Sequence, residues 1–523
     1  MIVLGLGGIL THAACAILKD GHLMAAVEEE KLDRHRIAGE VPEASIAECL
    51  RLAGVSAAEV DCLALVRPFA GGAEAKFHLK LRSMFPRARL VLVEHQVAHA
   101  ASAYFASPFE QATVLTLDRG GDLRCGAKWQ ANGPDLRLER EWYYPDSLGL
   151  LYGRVTELLG FESRADEHKV QWLAAQGDRA RFSALFGEVA SVDAQLNALF
   201  FDGSRADRGA FGARFYERLG LDDGAAIPLS MAADIAAGVQ QRVEEIVLEL
   251  AGSGENLCVA GGLFFNALLV RALETSGRWK NVFVQAAAGN SGTAIGAAYS
   301  AWQSVSEGKQ RLVQAPSLLL GPEFRPEEIK QVLENCKLRF RFLLTMDELV
   351  DTAVRMLGEH QIIAWMQGRM EFGPRALGNR SILASPLDPY STENLNVFIK
   401  HREAFRKFAA SVPAEVANEY FEVGPNAINL ATVGRVREAH RRTFESAILG
   451  HDLVRVHVVE QAANPLYHRL LHAAGKSTGL PVLYNTSFNL FGDPLVCNPR
   501  DAVRSFYSSG IDGLFVGNFL LTK

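Results

Sequence analysis

The stretch QGRMEFGPRALGNRSILASP, residues 367–386, sets Arg369, Arg375 and Arg380 in one segment with three glycines, two prolines and a single acidic residue, Glu371. Gly and Pro at this density exclude a long helix, so the segment reads as a strand entering a shaped loop. Guanidinium groups match phosphate and carboxylate oxygens in pairs, and several close together suit a polyanion. A second basic set follows in FIKHREAFRKFAASV, where Lys400, Arg402 and Arg406 alternate with Phe398, Phe405 and Phe408. A solvated basic helix is one reading; the interleaved phenylalanines suit a walled pocket. After an apolar strand, LYNTSFN offers Asn485, Thr486, Ser487 and Asn489. Their hydroxyls and amides fit a phosphate or a planar amide, and equally a neutral turn.

Metal-ligating residue types occur in EHQVAHAASAYFASPF. His95 and His99 are four apart, so a helix puts both imidazoles on one face, a spacing that suits one metal ion. The strand VLTLD ends with Asp118, whose carboxylate would complete a facial set. The same histidine spacing also arises incidentally, and aspartate is common where a strand turns. Gly120 and Gly121 of DRGGD let a phosphate approach the backbone.

The elements that would position these groups are α/β in type. MIVLGLGG, then HAACAILKDGHLMAAVEEE with a hairpin turn at residues 19–22, then a helix opened by Pro42 and Glu43, give strand-strand-strand-helix. ATVLTLDRGGD, GAKWQANG, DLRLEREWYYP and SLGLLYGRVTELLGF return the same order. The repetition suggests an internally duplicated actin-like ATPase fold (ribonuclease H-like halves) with nucleotide between the halves; two unrelated α/β segments are the alternative. Two glycine turns that precede helices, at Gly261, Gly262 and Asn266 and at Gly289, Gly292 and Gly296, suit a nucleotide.

Near residue 340 the composition changes, which divides the chain into residues 1–340 and 341–523, each large enough for its own core. The chain of 523 residues carries a net charge of −6, so nucleic acid and acidic membrane surfaces are not expected partners and any anion site is local. Seven scattered cysteines without a CxxC pair point to a reducing cytoplasm. The apolar start lacks a basic region and reads as core strands, and no run of about eighteen apolar residues predicts a membrane span.

Taken in order, EHQVAHAASAYFASPF, LTLDRGGD, SLGLLYGRVTELLGF, HKVQWLAA, GRMEFGPRALGNRSILASP, IKHREAFRKF and NTSFN resemble the carbamoyltransferases of the nodulation and cephamycin type, the NodU/CmcH family, almost from end to end. The resemblance implies a TsaD-like, actin-like N-terminal domain and a YrdC-like α/β C-terminal domain. It implies that the C-terminal domain makes carbamoyl-adenylate from carbamoyl phosphate and ATP. The N-terminal domain would then transfer the carbamoyl group to a hydroxyl or amine of a small, natural-product acceptor such as an antibiotic precursor. Arg375, Lys400, Arg406, Arg455 and Ser487 match the family's carbamoyl phosphate and ATP groups, with Asn485 beside them. Glu371 would orient an arginine, and Arg369 and Arg380 would be structural partners. His95, His99 and Asp118, with Asn290, match the metal set, with Fe2+ expected and Mn2+ or Mg2+ as alternatives. His12 matches a histidine near the acceptor, and Lys31 and Arg34 fall in the acceptor-binding region. A homodimer is the expected alternative to a monomer.

Three departures stand out. Gln96 replaces a second consecutive histidine, Asn290 replaces an aspartate of the metal set, and ILGHDLVRVH replaces a more regular run while keeping Arg455. They leave open a diverged member that uses the adenylate otherwise, or a partner that has lost transfer.

Overall fold

The computed structural model describes residues 1–35, 38–67, 75–306, 317–490 and 492–523. Among these, the strands form two five-stranded sheets and one ten-stranded sheet. The first sheet contains β1 (Ile2–Gly7), β2 (Ala14–Lys19), β3 (His22–Glu28), β4 (Cys62–Val66) and β5 (Arg89–Val93), in the order β3-β2-β1-β4-β5. The second contains β6 (Gln111–Gly121), β7 (Arg124–Asn132), β8 (Asp135–Tyr143), β9 (Gly254–Ala260) and β10 (Trp279–Val284), in the order β8-β7-β6-β9-β10. In each, the first three strands form an antiparallel meander and the last two add in parallel beside the first. Two sheets with one topology are the duplicated actin-like fold expected from the repeated sequence order. The hairpin turn at residues 19–22 forms as its composition dictates, with Asp20 and Gly21 both at positive φ.

The halves meet through small residues. The helix Thr293–Val305 lies against the helix His95–Tyr104, and a Cβ on Gly296 would sit 1.7 Å from the Ala98 carbonyl oxygen. The same helix crosses β1 so closely that a Cβ on Gly5 would meet the Ala294 carbonyl at 2.2 Å. The buried alanines 98, 100, 101 and 103 complete this seam. Backbone contact of this kind fixes the loop before Thr293, and with it Asn290, against the histidine helix.

The C-terminal part is also α/β. Its sheet runs centrally through Ile363–Met366, Arg380–Ala384, Leu483–Ser487, Ala409–Pro413 and Leu453–Val459, adjacent in that order. This single mixed sheet is consistent with the YrdC-like expectation. The helix Pro326–Asn335 places Ile329 and Leu333 in the same hydrophobic core. Among the described residues, no helix is long and apolar enough to cross a membrane.

Candidate active site

β6 delivers Asp118 against the helix His95–Tyr104, which carries His95 and His99 one turn apart. Both Nε2 atoms address one oxygen, Asp118 Oδ2, at 2.8 Å from His95 and 3.3 Å from His99. The rings stand at 81° to each other, so their nitrogens converge instead of stacking. Burial opposes charge on Asp118, but its hydrogen bonds to His95 and His99 prevail and hold its carboxyl well below the usual carboxylate range. Burial lowers the His99 imidazolium, against the pull of Asp118 and the Asn290 side chain. Gly121 is required here, because a Cβ would fall 2.3 Å from the His95 ring.

Asn290 stands in the turn Asn290–Gly292 that opens the helix Thr293–Val305. Its Nδ2 donates to Thr11 Oγ1 at 2.8 Å, so its buried Oδ1 faces the His99 ring without making a regular hydrogen bond. His99 Nδ1 is buried and unpartnered as well. Two imidazoles, a carboxylate and an unclaimed amide oxygen fit a divalent ion of borderline hardness. His12 follows Thr11 in the same loop, one-third exposed, with Nδ1 at 3.4 Å from Glu30 Oε2.

The second cluster is cationic. Lys400 ends the short π-helical segment Leu395–Lys400, and the chain then turns at His401, whose φ is 45°. The solvated basic helix is therefore not what forms; the turn folds Arg402 and Arg406 back towards Arg375 and Arg455. Burial and then Arg375, Arg402 and Arg406 lower the Arg455 guanidinium well below its ordinary value. Burial and then Arg406 bring Arg375 to about 10 and Arg402 to about 9. Lys400 is lowered for the same reasons, by burial and then Arg402 and Arg406. Among the described residues, neither the Arg406 nor the Arg455 guanidinium donates a hydrogen bond to a protein acceptor; Arg406 has only a long ion pair to Glu403 at 3.9 Å. Lys169 already bridges Glu403 at 2.8 Å and Asp166 at 3.1 Å. The excess positive charge makes this a candidate anion site.

The N-terminal part supplies one wall of it. The helix Glu167–Ala174 sets Trp172 beneath Arg455, 5.4 Å from ring centroid to Cζ, and Phe161 packs on Phe405. His168 donates from Nδ1 to the Ala165 carbonyl at 3.0 Å, so its buried, unpartnered Nε2 carries a lone pair. Burial and then Arg406 and Arg375 push its pKa down to about 3. Neither His168 nor Trp172 stands out by residue type in HKVQWLAA; only the partner domain reveals their place.

The other expected residues divide into ligands and supports. Lys400 Nζ donates to the Ser487 carbonyl at 2.5 Å and to Asn489 Oδ1 at 2.8 Å, fixing the turn that carries the Ser487 hydroxyl. Asn485 Nδ2 donates to the Ala376 carbonyl at 3.1 Å and so holds the loop beside Arg375. Glu371 does not orient an arginine: its Oε1 accepts from the backbone N–H groups of Leu377, Asn379 and Arg380 at 2.8–3.0 Å. Arg380 is wholly buried and donates to the Gln367, Gly368, Asn379 and Pro322 carbonyls. Arg369 donates to those of Gly321, Leu320 and Met24. Of the three loop arginines, Arg375 alone joins the anion site.

Lys31 is committed to protein partners. It is buried, pairs with Glu28 Oε2 at 3.0 Å, and donates to the Glu371 and Gly373 carbonyls at 2.9 and 2.7 Å. Asn266, expected at a nucleotide, caps the helix Ala267–Thr275 by accepting from the Leu268 and Leu269 N–H groups at 3.1 Å. Gly261 and Gly262 pass beside β6: a Cβ on Gly262 would lie 3.1 Å from Asp118 Oδ1. Gly120 lies in the β6 end beside Gly121, and Gly292 packs on the Ala287 carbonyl.

Residues 67–299 match a family model described as carbamoyltransferase N-terminus, and residues 354–523 one described as carbamoyltransferase C-terminus. An uncharacterized protein of Synechocystis sp. is 32% identical over 100% of this chain and 96% of its own length. Nodulation protein NolNO of Sinorhizobium fredii is 32% identical over 99% of this chain and 80% of its own length. The 3'-hydroxymethylcephem-O-carbamoyltransferase of Amycolatopsis lactamdurans is 31% identical over 54% of this chain and 52% of its own. With both parts matched and relatives aligned along its whole length, the chain belongs to the carbamoyltransferase family and is an enzyme of carbamoyl transfer.

Proposed function

We propose that the cationic pocket makes carbamoyl-adenylate from carbamoyl phosphate and ATP, and that the histidine site transfers the carbamoyl group to a hydroxyl or amine of a small natural-product acceptor. The observation that carries this reading is the crowding of Arg375, Arg402, Arg406 and Arg455, two of which, Arg406 and Arg455, donate no hydrogen bond to an acceptor among the described residues. Such a pocket can hold two phosphorylated substrates at once. Carbamoyl phosphate gives up its phosphate to water, the carbamate oxygen attacks the α-phosphorus of ATP, and pyrophosphate leaves. Arg406 and Arg455 neutralise the charge gathering on phosphate oxygens. Ser487 and the His168 lone pair supply polar partners at the pocket wall.

In the N-terminal site, His95, His99, Asp118 and the Asn290 carbonyl oxygen would hold a divalent ion, which supplies Lewis acidity and a template for the nucleotide's phosphate when bound. His12, backed by Glu30, is placed to take the proton from the acceptor as its oxygen or nitrogen attacks the carbamoyl carbon and AMP departs. A relative named for O-carbamoylation of a hydroxymethylcephem supports a small-molecule hydroxyl as acceptor.

The two steps are separable by assay. Pyrophosphate release from ATP should require carbamoyl phosphate and fall by about a hundredfold or more in Arg406→Ala or Lys400→Ala. His95→Ala or His99→Ala should lose bound metal and product while pyrophosphate release persists. Pyrophosphate release that ignores carbamoyl phosphate, or survives both pocket substitutions, defeats the proposal.

A further inference from the structure

A second cluster of metal-ligand type lies apart from the chemistry described above. The helix Pro465–Thr478 carries His468 and His472 four residues apart, and Glu415 comes from the turn Ala414–Val416 that follows the central strand Ala409–Pro413. Both Nε2 atoms address one oxygen, Glu415 Oε1, at 3.0 Å from His468 and 2.5 Å from His472. The rings are tilted 60° with centroids 4.6 Å apart, so their nitrogens point to a common place. The three donor atoms lie within 4.8 Å of one another.

The supports are rigid. Asn464 caps the helix by accepting from the Tyr467 N–H at 3.2 Å, and Tyr467, Leu470, Leu471 and Ala474 bury its other face in the core. The helix backbone therefore holds His468 and His472 one turn apart on the same face. The His468 side chain is 10% exposed, His472 37% and Glu415 50%, so the cluster opens to solvent on one side. This gives an ion a route in and room for water at the remaining positions.

The geometry points to a second metal site at Glu415, His468 and His472, for a borderline divalent ion of the Zn2+ class. A tetrahedral zinc with bonds of about 2.1 Å separates its ligands by about 3.4 Å, within the spread of these donors. Two imidazoles beside a single carboxylate favour Zn2+ or Ni2+ over Mg2+ or Ca2+, which prefer all-oxygen sets. The ion would pin the outer edge of the helix to the strand end and leave the carbamoyl chemistry to other residues.

The test is calorimetric titration of the chelator-stripped full-length protein with Zn2+, in wild type and in His472→Ala. The expected result is one fewer zinc equivalent in His472→Ala, whether or not the N-terminal histidines also take zinc, with pyrophosphate release unchanged. Glu415→Gln, at a half-exposed position that tolerates an isostere, should weaken the same equivalent by about tenfold or more. Equal stoichiometry and affinity in wild type and both variants would mean that the three residues are a hydrogen-bonded triad only, and would overturn the assignment. Occupancy won equally well by Mg2+ would overturn the ion class.

Discussion

The Arg375 guanidinium donates to the carbonyl of Phe265 at 3.3 Å, joining the anion site of one domain to a segment of the other. Three residues before Phe265, Gly262 passes against Asp118. Residues 261–266 therefore touch both chemical centres, and a change at one has a short covalent route to the other.

Arg375→Lys separates the two tasks of this residue. Lysine keeps the positive charge but not the planar fork that holds a phosphate and the Phe265 carbonyl together. Pyrophosphate release should fall by no more than about tenfold, about 1.4 kcal/mol. The ratio of carbamoylated product to pyrophosphate should drop further, because under the proposed reaction an adenylate made in a loosened junction would meet water. Parallel measurement of both products decides the matter: an unchanged ratio would make Arg375 an anion ligand alone.

Lys31 makes a prediction about stability. Burial raises the Glu28 carboxyl above its ordinary 4.5, opposed by Lys31 and the Gly373 N–H. A carboxyl raised in the folded state contributes stability that is present below its unfolded pKa and lost as pH rises through the folded one. Lys31→Met removes the main opposing charge and strands Glu28, at a cost of about 3–5 kcal/mol near neutral pH. Melting curves should show a large Tm deficit near pH 7.5 that narrows near pH 4.5, where Glu28 accepts a proton. A deficit of equal size at both pH values would assign the effect to lost packing.

How far the residues alone could lead differs between the two parts. The duplicated order of strands was legible because hydrophobic runs and turn residues such as Asp20 and Gly21 are local signals. The histidine trio was legible because four-residue spacing on a helix fixes one face and Asp118 closes the apolar run VLTL, although β6 itself continues to Gly121. The supporting roles of Glu371, Lys31 and Asn266 were not legible for one reason: each is polar and lies in a motif, but backbone groups are among its partners. Backbone donors and acceptors leave no trace in composition. His168 and Trp172 were missed because a site built across two domains places its wall more than two hundred residues from its floor, at Glu167–Ala174 against Arg375.

Asn290 gives the last prediction. Its amide nitrogen is committed to Thr11, so only the neutral Oδ1 remains for an ion, and that buried oxygen faces the His99 ring without making a regular hydrogen bond. A carboxylate at this place adds a negative charge beside Asp118, which divalent ions favour. The Thr11 hydroxyl can rotate to donate to a carboxylate as readily as it accepts from the amide, so Asn290→Asp fits the same space. The wild type should therefore bind metal substoichiometrically on purification, and ATP should raise occupancy by adding phosphate oxygens. Asn290→Asp should tighten binding about tenfold or more, a gain of about 1.4 kcal/mol. Metal titrations of both proteins, with and without nucleotide, check this. Tight binding of one ion by the wild type without nucleotide, unchanged in Asn290→Asp, would show that the Asn290 oxygen never reaches the ion. The trio would then hold the ion by itself, and Asn290 would serve only to tie the Thr11 loop to the helix behind it.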